Sequence, residues 1–195
     1  MSPSTRRWSL ALGAVLLVTM ALALVGGSGF TSRREAWPLE ARLARGARSF
    51  LIPGEVKELV NPVSSDREVV RDGMEHFADH CAICHANDGS GDTQMGRALF
   101  PPAPDMRGLP TQAMSDGELF YVIEFGVPLT GMPAWGNGTP DGERASWELV
   151  RFIRHLPDLT AEEVEEMEAL NPRSPAGDAR SQEIADFLEG RGAGR

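Results

Sequence analysis

The chain has 195 residues, a formal net charge of -9 and 42% hydrophobic residues. That length suits one ordinary domain with appendages, and the acidic balance excludes a general nucleic-acid binder, which needs a basic surface to neutralise phosphates. The charge is uneven: residues 1–65 carry +4, residues 66–156 carry -7 and residues 157–195 carry -6, with no internal repeat.

The first predicted element follows Arg6 and Arg7. Trp8–Phe30 is a run of 23 residues without a charge, and a helix needs roughly 20 to cross a bilayer core. The alternative is a cleaved signal peptide, whose apolar stretch is usually about 7–15 residues. Leu10–Val25 is 16 unbroken residues, and the "GGSG" after it offers a place to cut. Residues 1–30 therefore read as a membrane anchor, with a signal peptide as the alternative. "TRRWSL" also resembles a degenerate twin-arginine signal. Arg33, Arg34, Arg42, Arg45 and Arg48 follow the run and outnumber Arg6 and Arg7, so the positive-inside rule alone puts the C-terminal side in the cytoplasm.

Residues 31–65 form a basic juxtamembrane linker. Within it, "AWPLEARLARGARSFL" places Leu39, Leu43, Ala47 and Leu51 at intervals of four, with Arg42, Arg45 and Arg48 on other faces. Two readings stay open: a short helix on an anionic membrane surface, or a solvated helical spacer weakened by Gly46.

Residues 66–156 predict three helices. Ser65 and Glu68 match a capping box, and Val70, Gly73, Phe77 and Cys81 then share one helical face. Ser115 and Glu118 match a second box, opening "SDGELFYVIEFG", with Gly126 as the stop. A third helix runs from about Asp141 to Leu156, lined by Ala145, Leu149, Phe152, Ile153 and Leu156. A long Gly/Pro-rich loop joins the first two, and there is almost no strand signal. Short helices with long loops make a poor core alone, so a large apolar group is expected inside them.

The chain's two cysteines lie in "HCAICHANDGSG". A thioredoxin-like dithiol needs a preceding strand, and a structural zinc site needs a second ligand pair across the loop. Neither is present. A C-x-x-C-H run reads instead as covalent haem attachment: Cys81 and Cys84 form thioethers, and His85 presents its imidazole to the iron. A sixth ligand is expected from methionine. Met132, in the tight loop "GVPLTGMPAWG", is the leading candidate, with Met95, Met106 and Met114 as alternatives.

"CAICH", "FPPAPD", "SDGELFYVIEFG" and "TGMPAWG", in this order, resemble the monohaem class I cytochrome c family. Within it, the chain is similar to membrane-anchored bacterial forms related to the cytochrome c subunits of cbb-type oxidases. The resemblance covers about residues 66–156. It implies an all-α class I cytochrome c fold, one covalent haem c, Cys81 and Cys84 as attachment residues, and His85 and Met132 as axial iron ligands. It implies that Gly73 and Phe77 mark the crossing of the first and last helices. It also implies that a loop carbonyl, at Pro101 or Pro102, accepts the His85 Nδ1–H. Attachment in this family occurs outside the cytoplasmic membrane, which overrides the arginine count and makes twin-arginine export unnecessary.

Tyr121 and Trp135 are candidates to shield the haem edge, or simply packed aromatics. Arg97 is a candidate propionate partner, or a solvated arginine. His76, His80 and His155 read as surface or capping histidines. Residues 157–195 read as an acidic helical tail: Thr160 and Glu163 match a capping box, Val164, Met167 and Leu170 share a face, and Ile184, Phe187 and Leu188 repeat the pattern.

The expected function is one-electron transfer in a respiratory or photosynthetic chain, not enzymatic catalysis. The alternatives are a haem c subunit of a larger oxidase or dehydrogenase, and a haem enzyme or gas sensor. Expected partners are donor and acceptor redox proteins with a basic docking face, and the membrane. The expected location is the cytoplasmic membrane, single-pass, with the haem domain on the periplasmic side, or a soluble periplasmic protein if the signal is cleaved.

Overall fold

The computed structural model describes residues 3–27, 31 and 36–172. The expected repeat at Ile184, Phe187 and Leu188 lies outside the described residues. Helix α1 spans Pro3–Gly27, α2 Pro38–Leu51 and α3 Gly54–Lys57. Helix α4, Arg67–His76, runs without a break into a wider π-helical turn at Phe77–Cys81 and then into α5, Ala82–His85. Two short helices follow, α6 at Gln94–Ala98 and α7 at Leu109–Gln112. Helix α8 is Asp116–Phe125, α9 is Pro140–His155 with a 3-10 turn at Leu156–Asp158, and α10 is Ala161–Leu170. The described residues contain no strand, as an all-α fold requires.

Local capping sets the helix ends. Ser115 Oγ accepts from the Glu118 amide at 3.1 Å while Glu118 Oε2 accepts from the Ser115 amide at 3.0 Å, so the expected box forms. Gly126, at φ +67°, ends α8 in a conformation that costs other residues a Cβ clash. The box expected at Ser65 does not form. Asp66 is the cap instead, its Oδ1 accepting from the Val69 amide at 3.1 Å. Aspartate caps as well as serine does, and with it the helix begins one residue later, leaving Glu68 out of register to reach back. Helix α9 likewise starts at the Thr139 cap, whose Oγ1 accepts from the Gly142 amide at 3.1 Å, with Pro140 at the first helical position.

The core lies where α4 crosses α9. Phe77, Phe152, Val150 and Leu156 are almost fully buried there, and the Phe77 and Phe152 rings sit 5.1 Å apart. Gly73 allows the approach: a Cβ at that position would overlap the Glu148 carbonyl and press on Phe152. Gly73→Ala is therefore expected to destabilise the fold by about 1–3 kcal/mol, the usual cost of overpacking, because backbone and not a flexible side chain stands in the way. Gly46→Ala, where nothing lies within 4 Å, is the matched control and should be neutral or slightly stabilising in a urea titration.

Helix α10 packs behind the π turn. Met167 is fully buried, Val164 is half-buried and Leu170 is 37% exposed, so the expected shared face is buried at its centre. The Thr160–Glu163 box forms, and Glu163 Oε1 lies 2.9 Å from His155 Nε2. Burial alone would raise the Glu163 carboxyl, but the Thr160 amide and His155 hold it below the usual glutamate value. A depressed carboxyl stabilises the fold above its unfolded pKa and loses that contribution as pH falls through the folded one. Docking of α10 should thus weaken below about pH 4. Glu163→Gln should remove about 0.2–1 kcal/mol near neutral pH and flatten the acid limb of stability against pH. An unchanged acid limb would remove this pair from the account.

Candidate cofactor site

The Cys81–His85 segment inherits its geometry from the π turn. The Ala82 amide reaches back to the Phe77 carbonyl, one residue further than an α-helix allows. Such one-residue expansions re-aim the side chains that follow and recur at functional sites. Phe77 and Ala78 point into the core, while Cys81, Cys84 and His85 are partly exposed along the next turn. The helix stops at Ala86, a non-glycine residue held at φ +60°.

The loop after it cradles this turn. Thr93 Oγ1 donates to the Ile83 carbonyl at 2.8 Å and accepts from the Gly96 amide at 2.8 Å. The Gly91 amide donates to the His85 carbonyl at 2.8 Å. A Cβ at Gly96 would overlap the Cys84 carbonyl, so α6 sits directly on the attachment turn. Sequence reasoning passed over Thr93, Gly91 and Gly96. The available signal was a threonine three residues before a glycine, the pattern of a helix cap.

Cys81 and Cys84 are not joined in a disulfide. Burial, with Cys84 close by, pushes Cys81 up to about 12, and burial also raises Cys84. A redox dithiol needs the opposite, a depressed thiolate. Among the described residues no group of three or more His, Cys, Asp or Glu side chains converges as a zinc site would require. The imidazole of His85 is mostly buried, which lowers its basicity, and its Nδ1 has no hydrogen bond of full geometry. The backbone group acting on that ring, and raising its basicity, is at Pro104. This corrects the carbonyl expected at Pro101 or Pro102: the Ala103 and Met106 amides donate to the Gly96 and Gly89 carbonyls at 3.0 and 2.8 Å, and the stretch they hold against the Cys81–His85 turn is the one that carries Pro104.

Met132 lies in the loop between α8 and α9. The Val127 amide donates to the Met132 carbonyl at 3.1 Å, and the Met132 amide donates to Thr130 Oγ1 at 3.1 Å. Gly126 passes so close to Met132 and Pro133 that a Cβ there would strike their backbone. Three residues on, the Trp135 ring stands edge-on to His80 at 5.6 Å, which brings this loop against the residue before Cys81. Trp135, 40% exposed, thus joins the two segments through this one contact, and Tyr121 packs on Phe125 at 4.6 Å. Arg97 pairs with Asp92. The three alternative methionines sit elsewhere. Met95 is exposed, Met106 is in the core, and Met114 Sδ accepts from Arg48 Nη2 at 3.3 Å.

Residues 68–153 match the family model described as cytochrome C oxidase, cbb3-type, subunit III. This segment is a monohaem class I cytochrome c domain. The match covers Cys81, Cys84, His85 and the Met132 loop, and stops before α10. The chain is 33% identical to the cbb3-type cytochrome c oxidase subunit FixP of Rhizobium meliloti (strain 1021) over 72 residues, 36% of this chain and 22% of that protein. It is 31% identical to the cbb3-type cytochrome c oxidase subunit FixPc of Rhizobium leguminosarum bv. viciae over 93 residues, 47% of this chain and 29% of that protein. The chain thus spans less than a third of the length of these curated relatives.

The cytochrome c domain carries covalent haem c. The residues fit that group: two thiols on one turn, a partly exposed imidazole beside them with its far nitrogen buried, and an apolar core close by.

Among the described residues no helix is both long and apolar enough to cross a membrane. In α1 the side chains of residues 3–7, Ala11, Ala21, Leu22 and residues 24–27 lie outside the described set. The anchor expectation therefore keeps its basis in the uncharged run Trp8–Phe30.

Proposed function

We propose that the chain is a membrane-tethered one-electron carrier in which Cys81 and Cys84 hold the haem and His85 and Met132 ligate its iron. The bound haem would supply a one-electron couple at iron. The observation that carries this reading is the Trp135–His80 contact, which draws the Met132 loop against the attachment segment. The loop's own hydrogen bonds hold the Met132 backbone, and the alternative methionines are exposed, in the core or committed to Arg48. A neutral thioether opposite an imidazole favours ferrous iron and fills the position where small ligands bind, which suits a carrier rather than a catalyst.

The tether is supported by the uncharged run and by α1, 25 residues long, whose side chains at Leu10, Leu12, Val15, Leu16, Leu17, Val18 and Met20 are all exposed. Residues 1–30 serve as the anchor, 31–65 as a juxtamembrane segment, 66–156 as the haem domain on the periplasmic side and 157–195 as the tail. The acidic domain suits a donor or acceptor with a basic docking face. The relatives, named as oxidase subunits, favour a second reading, in which the same domain is a fixed haem c subunit of an oxidase.

Washed membranes test the carrier. After a high-salt wash the protein is expected to stay in the pellet, since apolar insertion is not screened, and to titrate as a single one-electron couple. Mild-detergent extraction should release it alone. Release bound to an oxidase supports the second reading, and release by salt removes the tether.

A further inference from the structure

Helix α2 is inside out. Its contacts with the haem domain come from its polar side: Arg48 Nη2 reaches Met114 Sδ at 3.3 Å, and Ser49 Oγ reaches Glu118 at 3.2 Å, at the start of α8. Its apolar side faces away. Leu39, Leu43, Phe50 and Leu51 lie within one arc of the helix and are 67%, 65%, 85% and 73% exposed, and no residue of α2 is buried. A short amphipathic helix gains most of its stability from burying that face. Here the face is spread outward on a helix held in a set orientation.

The base of α2 is firm. Ile52, the residue after it, is buried, and Lys57 Nζ donates to the Ser49 carbonyl. Gly117 of α8 touches the Val56 carbonyl so closely that a Cβ would overlap it. The outward stripe is therefore carried by the domain and does not swing freely from it.

We propose that the apolar stripe of α2 lies in the surface of an anionic bilayer and sets the orientation of the haem domain on it. The proposal rests on the tether reading and adds to it. Two observations favour lipid over a protein partner. Only 10 residues separate Gly27 from Pro38, a span of at most about 33–36 Å, so a chain anchored by α1 keeps α2 near the headgroups. The charge is also matched. Exposed Arg42 flanks the stripe, Arg33 and Arg34 precede it, and residues 66–156 and 157–195 are acidic. An anionic surface attracts the first set and repels the second, which turns α2 inward and the acidic faces outward. Leu39, Leu43, Phe50 and Leu51 would enter about 5–10 Å, to the boundary between headgroups and chains. Exposed Trp37, at the end nearest α1, suits the headgroup level.

The haem-loaded full chain offers a direct test, because Cys81 and Cys84 are consumed as thioethers and an introduced cysteine is the one free thiol. Spin labels are placed at Leu43→Cys and Phe50→Cys, at Arg45→Cys on the opposite side, and at Val15→Cys in α1. Each protein is reconstituted into nanodiscs with phosphatidylglycerol or with phosphatidylcholine alone. Labels at 43 and 50 are expected to collide with oxygen several-fold more than with an aqueous nickel chelate, the label at 45 to show the reverse, and the contrast to weaken in phosphatidylcholine. Aqueous labels at 43 and 50 with a lipid-exposed label at 15 overturn this proposal and leave the tether intact. An aqueous label at 15 overturns the tether reading. Labels at 43 and 50 shielded from both reagents, with dipolar broadening between copies, assign the stripe to a second copy and overturn lipid as its occupant.

Discussion

A Cys81→Ala, Cys84→Ala double variant is expected to lose covalent haem completely. After acid–acetone extraction the wild-type chain should keep its haem, because two thioethers resist the treatment, and the double variant should keep none. Each single variant retains one attachment point and should fall between the two. The effect should reach the fold as well. The helices around the site are short: α5 has 4 residues, α6 has 5 and α8 has 10. Isolated helices of that length are marginal in water and depend on tertiary burial. Without the attached group, these short helices lose a large apolar partner, and the thermal transition should broaden or vanish. Haem that extracts freely from the wild type would overturn the reading of Cys81 and Cys84.

Met132→Ala carries the second large effect. The reduction potential is expected to fall by about 0.1–0.3 V, inside the roughly 0.8 V that axial ligands span among haem proteins. The far-red band of a sulfur–ferric iron bond should disappear, and the ferrous protein should begin to bind carbon monoxide. Met132→His should keep six-coordination at a lower potential, which separates ligand loss from loop damage. Met95→Ala, Met106→Ala and Met114→Ala are the controls. Met106 is buried in the core, so its truncation should cost about 2–5 kcal/mol of stability and yet leave the band in place. Loss of the band in one of these three, with Met132→Ala unchanged, moves the sixth ligand to that residue. A wild type that lacks the band and binds carbon monoxide readily favours a sensor or enzyme over a carrier.

The sequence by itself determined what a residue and its neighbours within one helical turn decide. The Cys81–His85 run needs only its own spacing to suggest covalent attachment. The boxes at Ser115 and Thr160 close as their side chains and amides predict. Gly73 and Phe77, one helical turn apart, mark the face on which α4 meets α9. Where two local solutions compete, the same reasoning slips by a residue: Ser65 and Asp66 are both good caps, and Asp66 takes the role through its bond from the Val69 amide. Only the tertiary structure decided what depends on contacts far apart in the chain. The π turn at Phe77–Cys81 leaves no mark in the apolar periodicity, because a single bond from the Ala82 amide to the Phe77 carbonyl defines it and the buried positions before it keep their spacing. The backbone group acting on His85 belongs to Pro104 and not to Pro101 or Pro102, because the bonds of Ala103 to Gly96 and of Met106 to Gly89 hold that part of the loop against the Cys81–His85 turn. The outward face of α2 was equally hidden. Its pattern is the same whether the stripe packs on the protein or away from it, and the contacts of Arg48 and Ser49 with α8 and the turn before it make that choice.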